Sequence, residues 1–587
     1  MRRWTWHEAR GPVPAALVAA VADVERPYAP LLARLLWNRG VREPDTAARF
    51  LRPTLAEGLR SPRLLKDMDR AAARLADALA AGERIAVYGD YDVDGIAGAA
   101  QLVACLRELG ADPLLHVSHR AREGYGLHPE ALRGLAGAGA RVVVTADCGT
   151  GNPAELAVAA DLGLDVIVCD HHLAPATRPP AFALLNPLQT GCPFPFKGLS
   201  GAGVVFYLLM GLRMELRARG RAVLPDLRRY LDLVALGTVA DLVPLREENR
   251  VLVSHGLRAL DRTARPGLVA LKETALVEAA SVRAIGFRLA PRLNAAGRLA
   301  DARRAVEMLV TARQDEARAL AAELEVHNAE RRAIEEAMLA EAVALVDGRA
   351  RGRHLLVARE GWHPGVAGIV AARLVERYHR PAVVVALDGD VGRGSGRSLD
   401  GVDLYAAVTD CRDLFEAVGG HAQAVGFTLR RGQLRALAAR LEAALGRRDG
   451  GGAPRPALAI DAETSFAHVT PALAAALERL EPFGAGNPEP VLSARNVEVQ
   501  GAGLVGEPSR PNLKLRLRQD GRTLAAIGYG LGHLPVRAGD RLDVAFTPRL
   551  SRWQGLDRLR LEVIDIRPTG RVAAPQDTEM ARESPIP

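Results

Sequence analysis

Short apolar runs that end abruptly in acids or glycine, each followed by a helix-like stretch, set the pattern of the first half of the chain. Residues 84–90 (RIAVYGD) read as a buried strand, and a helical segment follows at about 96–109. Residues 142–146 (VVVTA) stop at Asp147, and residues 165–169 (DVIVC) stop at Asp170, His171 and His172. Apolar strands alternating with helical stretches predict a parallel sheet with helices on both faces. A further helical segment, 227–239, ends at Asp241. Residues 1–60 read as a helical cap ahead of this lobe.

The second half changes period twice. Residues 298–347 contain neither glycine nor proline. As one helix they would span about 75 Å. The pattern reads better as two helices, with Thr311 and Gln314 at the spacing of a capping box. A second α/β lobe follows, with strands at 354–357 and 382–386 and glycine-rich loops between. After the linker 447–456, alternating strands such as 513–517 and 559–566 predict a small β-barrel. The expected fold class is multidomain α/β: a parallel-sheet lobe, a helical connector, a smaller α/β lobe and an OB-like C-terminal barrel. The domains are read as 1–60, 61–265, 266–347, 348–446 and 457–568. Residues 569–587 lack an apolar period and read as a disordered tail.

Composition narrows the class without giving a function. The 587 residues are 49% hydrophobic and 25% charged, which excludes a disordered or collagen-like chain. No uncharged apolar run reaches about 18 residues, so no membrane span is expected. The first residues lack the apolar core of a secretory signal, which points to the cytoplasm. The five cysteines (Cys105, Cys148, Cys169, Cys192 and Cys411) are scattered, so neither a zinc site nor disulfides are expected. The net charge of +8 is a weak hint of nucleic acid.

The acids carry more information. Asp90, Asp92 and Asp94, then Asp147, then Asp170 with His171 and His172 stand at successive predicted strand ends; Asp241 ends a helix. Open α/β sheets bind ligands at the carboxyl ends of their strands. Alone, an acid pair after a strand is usually a loop or cap. Together these side chains would repel one another in one crevice unless a cation neutralised them. Oxygen ligands with one or two imidazoles and no thiolate favour Mn²⁺ or Mg²⁺ over structural zinc; of the two, Mn²⁺ is the cofactor expected first. The ligands exceed what one metal with open positions needs, so two divalent ions are expected. Two ions about 3.5–4 Å apart clamp the attacking and leaving oxygens of a phosphoryl displacement.

In the barrel, Lys514, Arg516 and Arg518 alternate with leucines and should share one strand face. Arg558 and Arg560 repeat the pattern, with Trp553 just before them. Basic strand faces with an aromatic suit a single strand of nucleic acid.

GDYDVDG (89–95), TADCGTGN (145–152), CDHH (169–172) and GTVADLVPL (237–245) resemble the four motifs of the DHH phosphoesterase superfamily. The resemblance extends to LLARLLWNRGV (31–41), HRAREGYGL (119–127), PRLNAAGRLADA (291–302), GWHPGVAGIVAARL (361–374), GRGSGRS (392–398) and GGHAQAVGF (419–427). The later segments look like a DHHA1 domain, and LEPFGAGNPEP (480–490) looks like the opening of an OB-fold. Within the superfamily the match is to its single-strand-specific exonucleases. The resemblance implies 5′→3′ degradation of single-stranded DNA to 5′-mononucleotides, in repair and recombination. It implies that Asp92, Asp94, Asp147, His171 and Asp241 are metal ligands, with Asp147 bridging the ions. Asp92 would serve mainly one ion; Asp94, His171 and Asp241 would serve the other.

His172 would contact the scissile phosphate, and Asp90 would support the site or the attacking water. Ser395 and Arg397, in a glycine-rich loop, would join Arg120 on the 5′ phosphate. His421 would touch the substrate backbone. A monomer is expected, with a helicase and a single-strand binding protein as family-level partners. The alternatives are a DHH/DHHA1 phosphodiesterase acting on short oligonucleotides or cyclic dinucleotides, and a non-catalytic replication factor that binds single strands.

Overall fold

The computed structural model describes residues 2–6, 12–120, 122–347, 352–448, 456–507, 511–553 and 556–569. Nearly all of the expected tail lies outside them, and so do the side chains of residues 551–557, which include Trp553. The chain forms two units. One holds residues 61–241 and 255–455; the other holds 1–60, 242–254 and 456–587.

The first unit opens with a five-stranded parallel sheet: β1 (Arg84–Gly89), β2 (Leu114–Val117), β3 (Ala140–Ala146), β4 (Asp165–Cys169) and β5 (Ala183–Leu185). The order β2-β1-β3-β4-β5 reverses direction between β1 and β3. That is the topological switch point where open α/β sheets bind ligands. β1 and β3 are buried almost throughout, as expected for strands covered on both faces. Helices α1 (Val93–Glu108), α2 (Gly201–Ala218) and α3 (Leu231–Ala240) pack on one another. α3 is apolar all round except at its ends, and it is buried over nearly its whole length.

The connector has more breaks than the sequence suggests. α4 (Ala290–Leu299) continues a π-helical turn (Ile285–Leu289), a short helix runs over Arg303–Val310, and α5 runs over Gln314–Asp347. Thr311 does mark a new start, but not as a capping box. Its hydroxyl accepts from the Arg313 amide and donates to Glu316. Further on, β6 (Leu355–Glu360), α6 (Pro364–Tyr378), β7 (Ala382–Asp388), β8 (Val391–Arg397), β9 (Phe415–His421) and β10 (Ala424–Arg430) build the second lobe. Its sheet has the order β9-β10-β8-β7-β6.

Ser395 and Arg397 lie in the central strand β8, not in a loop, and β8 is paired on both sides. The glycines recur at every second residue because Gly392, Gly394 and Gly396 lie under packed side chains. A Cβ on Gly394 would reach the Phe427 ring, and one on Gly396 would reach Val425. The residues between them, Ser395 and Arg397, point to the opposite face, against Gly368 of α6.

The second unit is a barrel: β11 (Leu492–Val505), β12 (Asn512–Gln519), β13 (Arg522–Gly528), β14 (Arg541–Trp553) and β15 (Leu556–Pro568). It is closed by pairing of β11 with β14. On β12 the leucines Leu513, Leu515 and Leu517 are buried, and Lys514, Arg516 and Arg518 are exposed. Arg516 pairs across β13 through Ala525, which is opposite Arg560 on β15. Arg558 is exposed as well. The N-terminal helices share one core with this barrel, with Leu32, Leu35 and Leu36 in the same cluster as Phe466 and Phe546. Residues 3–6 are a strand rather than helix, paired in parallel with Ala457–Ile460.

Candidate metal centre and phosphate pocket

The site forms where β1, β3 and β4 end. β1 runs into Asp90, which is buried and accepts a hydrogen bond from the Ser118 hydroxyl at 3.0 Å. Asp92 is the N-cap of α1 and accepts from the amides of Asp94 and Gly95 through one oxygen. Asp94 is buried one residue into that helix. Its two oxygens accept from the amides of Gly201 (2.6 Å) and Ala202 (3.0 Å) at the start of α2. Helix N-termini favour a carboxylate in this way. Close approach requires glycine at two points: a Cβ on Gly201 would lie 2.6 Å from that of Asp147, and one on Gly237 would lie 2.6 Å from Asp94 Oδ1. Asp147 follows β3 with φ +67°, and Asp241 caps the end of α3.

Three of these side chains meet at His171. Its Nε2 lies 3.1 Å from Asp147 Oδ1, 3.4 Å from Asp241 Oδ2 and 3.9 Å from Asp94 Oδ2. Yet Nε2, Asp147 Oδ1 and Asp241 Oδ2 are buried with no hydrogen-bond partner. Buried polar atoms left unsatisfied around one point suit a cation. Asp90, Asp92 and Asp147 form a second group, and Asp147, His171 and His172 a third; within each, the candidate ligand atoms lie within 4.8 Å of one another. Asp147 belongs to both of these. The donor set is oxygen with imidazole, as Mn²⁺ or Mg²⁺ requires.

The electrostatics carry the same message. Burial, then the Asp92 charge, raises Asp94 to about 7. Burial, then Asp94 and Asp92, raises Asp241 to about 9. Asp90 and Asp147 are also pushed well above the ordinary carboxylate range, first by burial and then by neighbouring acids. Burial, then the charge of His172, lowers His171 to about 4, which keeps its ring neutral and able to ligate. His172 differs. Burial opposes its charge, but the Asp170 carboxylate, 2.8 Å from Nδ1, more than offsets this and raises it to about 9. Asp170 is buried too, yet it is held below the ordinary range by His172, His171 and the Thr150 amide.

Metals need deprotonated ligands, so ions and protons compete here. Raised in this way, Asp94 and Asp241 hold protons into the neutral range. Adding Mn²⁺ to weakly buffered protein at pH 7 is therefore expected to release protons. Apparent affinity should rise as pH increases through about 6 to 9. Titration calorimetry in buffers of different ionisation heat checks this. Proton-free, pH-independent binding would contradict the assignment.

Near this cluster, electrostatic coupling links His421 to both His172 and Arg397, and Arg397 to Arg120 and Arg298. Arg397 donates to the Ser395 hydroxyl at 3.3 Å, and Arg120 lies over the Tyr91 ring at 5.2 Å. Arg298, at the end of α4, was not singled out from the sequence. It donates to the Gly365 carbonyl at 2.8 Å, at the start of α6. Burial, then the charges of Arg120, Arg397 and Arg331, lowers Arg298 to about 9. Arg397 is lowered by burial and by Arg120. Among the described residues none of these three arginines is paired with a carboxylate. His421 ends β9; burial, then Arg397 and His172, lowers it. Tyr125, another residue not singled out, places its hydroxyl 2.8 Å from His172 Nδ1. A lone arginine in a helix and a lone tyrosine in a loop give no periodic signal, although both fall in segments quoted for the family resemblance.

Comparison with known proteins agrees with this geometry. Residues 84–238 match the N-terminal domain of the DHH family, residues 352–447 match the DHHA1 domain, and residues 460–565 match the RecJ OB domain. The chain is 35% identical over 543 residues to the single-stranded-DNA-specific exonuclease RecJ of Bacillus subtilis, covering 91% of this chain and 68% of that protein. It superposes on the crystal structure of Thermus thermophilus RecJ in complex with Mn²⁺ with a TM-score of 0.81 and 33% identity. That match covers 96% of this chain and 79% of the other. Against the Mg²⁺ complex of the same protein the TM-score is 0.76, with 32% identity, covering 96% of this chain and 78% of that one.

Proposed function

Because the chain belongs to the RecJ family of single-stranded-DNA-specific exonucleases, we propose that it hydrolyses single strands from a docked 5′ end and releases 5′-mononucleotides. One juxtaposition carries this reading. Unpartnered buried oxygens and an imidazole nitrogen converge on one point, near three arginines that have no carboxylate partner among the described residues.

Asp94, Asp147, His171 and Asp241 would hold one divalent ion, and Asp92 with Asp147 a second, with Asp90 supporting them. When bound, such ions polarise a phosphodiester and lower the pKa of water. The protein's own groups do the rest. Arg120, Arg298, Arg397 and Ser395 bind the terminal phosphate, which relieves their mutual repulsion. His172 holds a proton at neutral pH, its Nδ1 engaged by Asp170, and its Nε2 is left to donate to a phosphate oxygen. His421 would contact the backbone. Lys514, Arg516, Arg518, Arg558 and Arg560 offer the barrel's charge to a strand.

The test is the end group. Strands carrying a 5′ phosphate should be degraded faster than the same strands after dephosphorylation, by about 10-fold or more. Equal rates would remove the phosphate-docking role.

A further inference from the structure

We propose that Gly368 is a positioning residue that sets the preference for a phosphorylated end: the bare backbone there leaves room for Ser395 and Arg397 to seat the terminal phosphate. This inference rests on the reading of the site given above. Glycine is a poor helix former, yet Gly368 is buried inside α6, past its first turn. Its φ is not positive, so the backbone conformation does not call for glycine. Ala367, Ala371 and Ala372 carry a methyl in the same helix. The reason for glycine lies in what packs against it.

A Cβ on Gly368 would stand 2.8 Å from Ser395 Oγ and 2.9 Å from Arg397 Nη2. Strand β8 itself holds only part of the guanidinium. Nη1 donates to the Gly396 carbonyl at 2.8 Å and to Ser395 Oγ at 3.3 Å. Nη2 has no hydrogen-bond partner among the described residues. The guanidinium therefore lies on the helix with one nitrogen tied to its own strand and another left for a ligand. A phosphate accepts readily from such a donor with a hydroxyl beside it.

Gly365 stands three residues earlier on the same helix face. Arg298 donates to its carbonyl at 2.8 Å, and a Cβ there would lie 2.9 Å from the Arg298 carbonyl oxygen. One face of α6 thus carries Arg298 at Gly365, and Ser395 with Arg397 at Gly368. The two glycines differ in what a methyl would meet. At Gly365 it would press on backbone, which cannot yield. At Gly368 it would press on a serine hydroxyl and the far end of an arginine, which can. Non-bonded contacts ordinarily reach about 3.5 Å, so these two groups would give way by about half an ångström or more. The fold would survive, but the donors would leave the place where they meet the phosphate.

The experiment is steady-state kinetics of the wild type, Gly368→Ala, Arg397→Ala and the double variant on 5′-phosphorylated and 5′-hydroxyl single strands at saturating Mn²⁺, with thermal unfolding of each protein. Gly368→Ala should lower kcat/KM on phosphorylated strands about 10–100-fold, the scale of a small misplacement. On hydroxyl strands the loss should stay under about threefold. The melting temperature should equal or exceed that of the wild type, because alanine is the better helix former. In the Arg397→Ala background the same substitution should cost less than about threefold on either strand, since the group it displaces is gone. Retention of the wild-type end preference by Gly368→Ala overturns the proposal. Equal losses on both strands, a lowered melting temperature, or an undiminished effect without Arg397 overturn it too, since each would make Gly368 a packing residue only. A wild type without preference between the two ends would overturn the phosphate-docking reading itself, and this inference with it.

Discussion

Asp147→Ala is expected to lower Mn²⁺-dependent degradation of single strands by about 10³-fold or more, while strand binding changes by less than about twofold. Asp147 belongs to two of the three candidate ligand groups, and its Oδ1 is the nearest carboxylate oxygen to His171 Nε2. Removing it leaves the remaining ligands without the group that joins them. The basic residues proposed to bind the strand are untouched, so binding in the presence of a chelator should persist. Alanine also stands at φ +67°, where a non-glycine residue costs about 1–2 kcal/mol. Asp147→Asn controls for this, because asparagine tolerates that conformation and keeps the volume. Both variants should bind and neither should cut. Retention of a tenth of wild-type activity by the asparagine variant would contradict the assignment.

The second large effect concerns Arg298. Arg298→Ala is expected to reduce kcat/KM on 5′-phosphorylated strands by about 10²–10³-fold, as for truncating one partner of a buried charge pair. On 5′-hydroxyl strands the loss should be small, because no terminal dianion is there to lose its partner. The preference for a phosphorylated end should therefore collapse. Arg298→Lys should recover part of it, keeping the charge but not the planar fork. Comparable losses on both kinds of strand would mean that Arg298 acts in holding α6 through the Gly365 carbonyl rather than on the phosphate.

The carboxylates were legible in the sequence because each one interrupts an apolar run. A strand that ends in Asp90, Asp147 or Asp170 announces the end of the sheet as well as the acidic cluster, so fold and candidate chemistry share one signal. The glycines of β8 misled for a related reason. Alternate glycines usually mark a loop, but at a period of two they also describe a strand whose one face lies under packed side chains, here Val425 and Phe427. Arg298 and Tyr125 were not legible as site residues, since each takes its role from groups distant in sequence: Arg120 and Gly365 for one, Asp147 and His172 for the other. The N-terminal helices share that limit. Their apolar stripe is plain, but nothing local says that its core is shared with strands more than 400 residues later.

Centrally, divalent ions held by Asp147 and its neighbours are proposed to act on a strand docked by its 5′ phosphate. The most direct measurement follows a single strand labelled at its 5′ end, and the same strand labelled at its 3′ end, with Mn²⁺ and beside a blunt duplex. The account predicts a labelled mononucleotide as the first product from the 5′ label and progressively shorter labelled strands from the 3′ label. It predicts no product with a chelator and little from the duplex. Mononucleotide released first from the 3′ label, or cleavage that persists in the chelator, would contradict it.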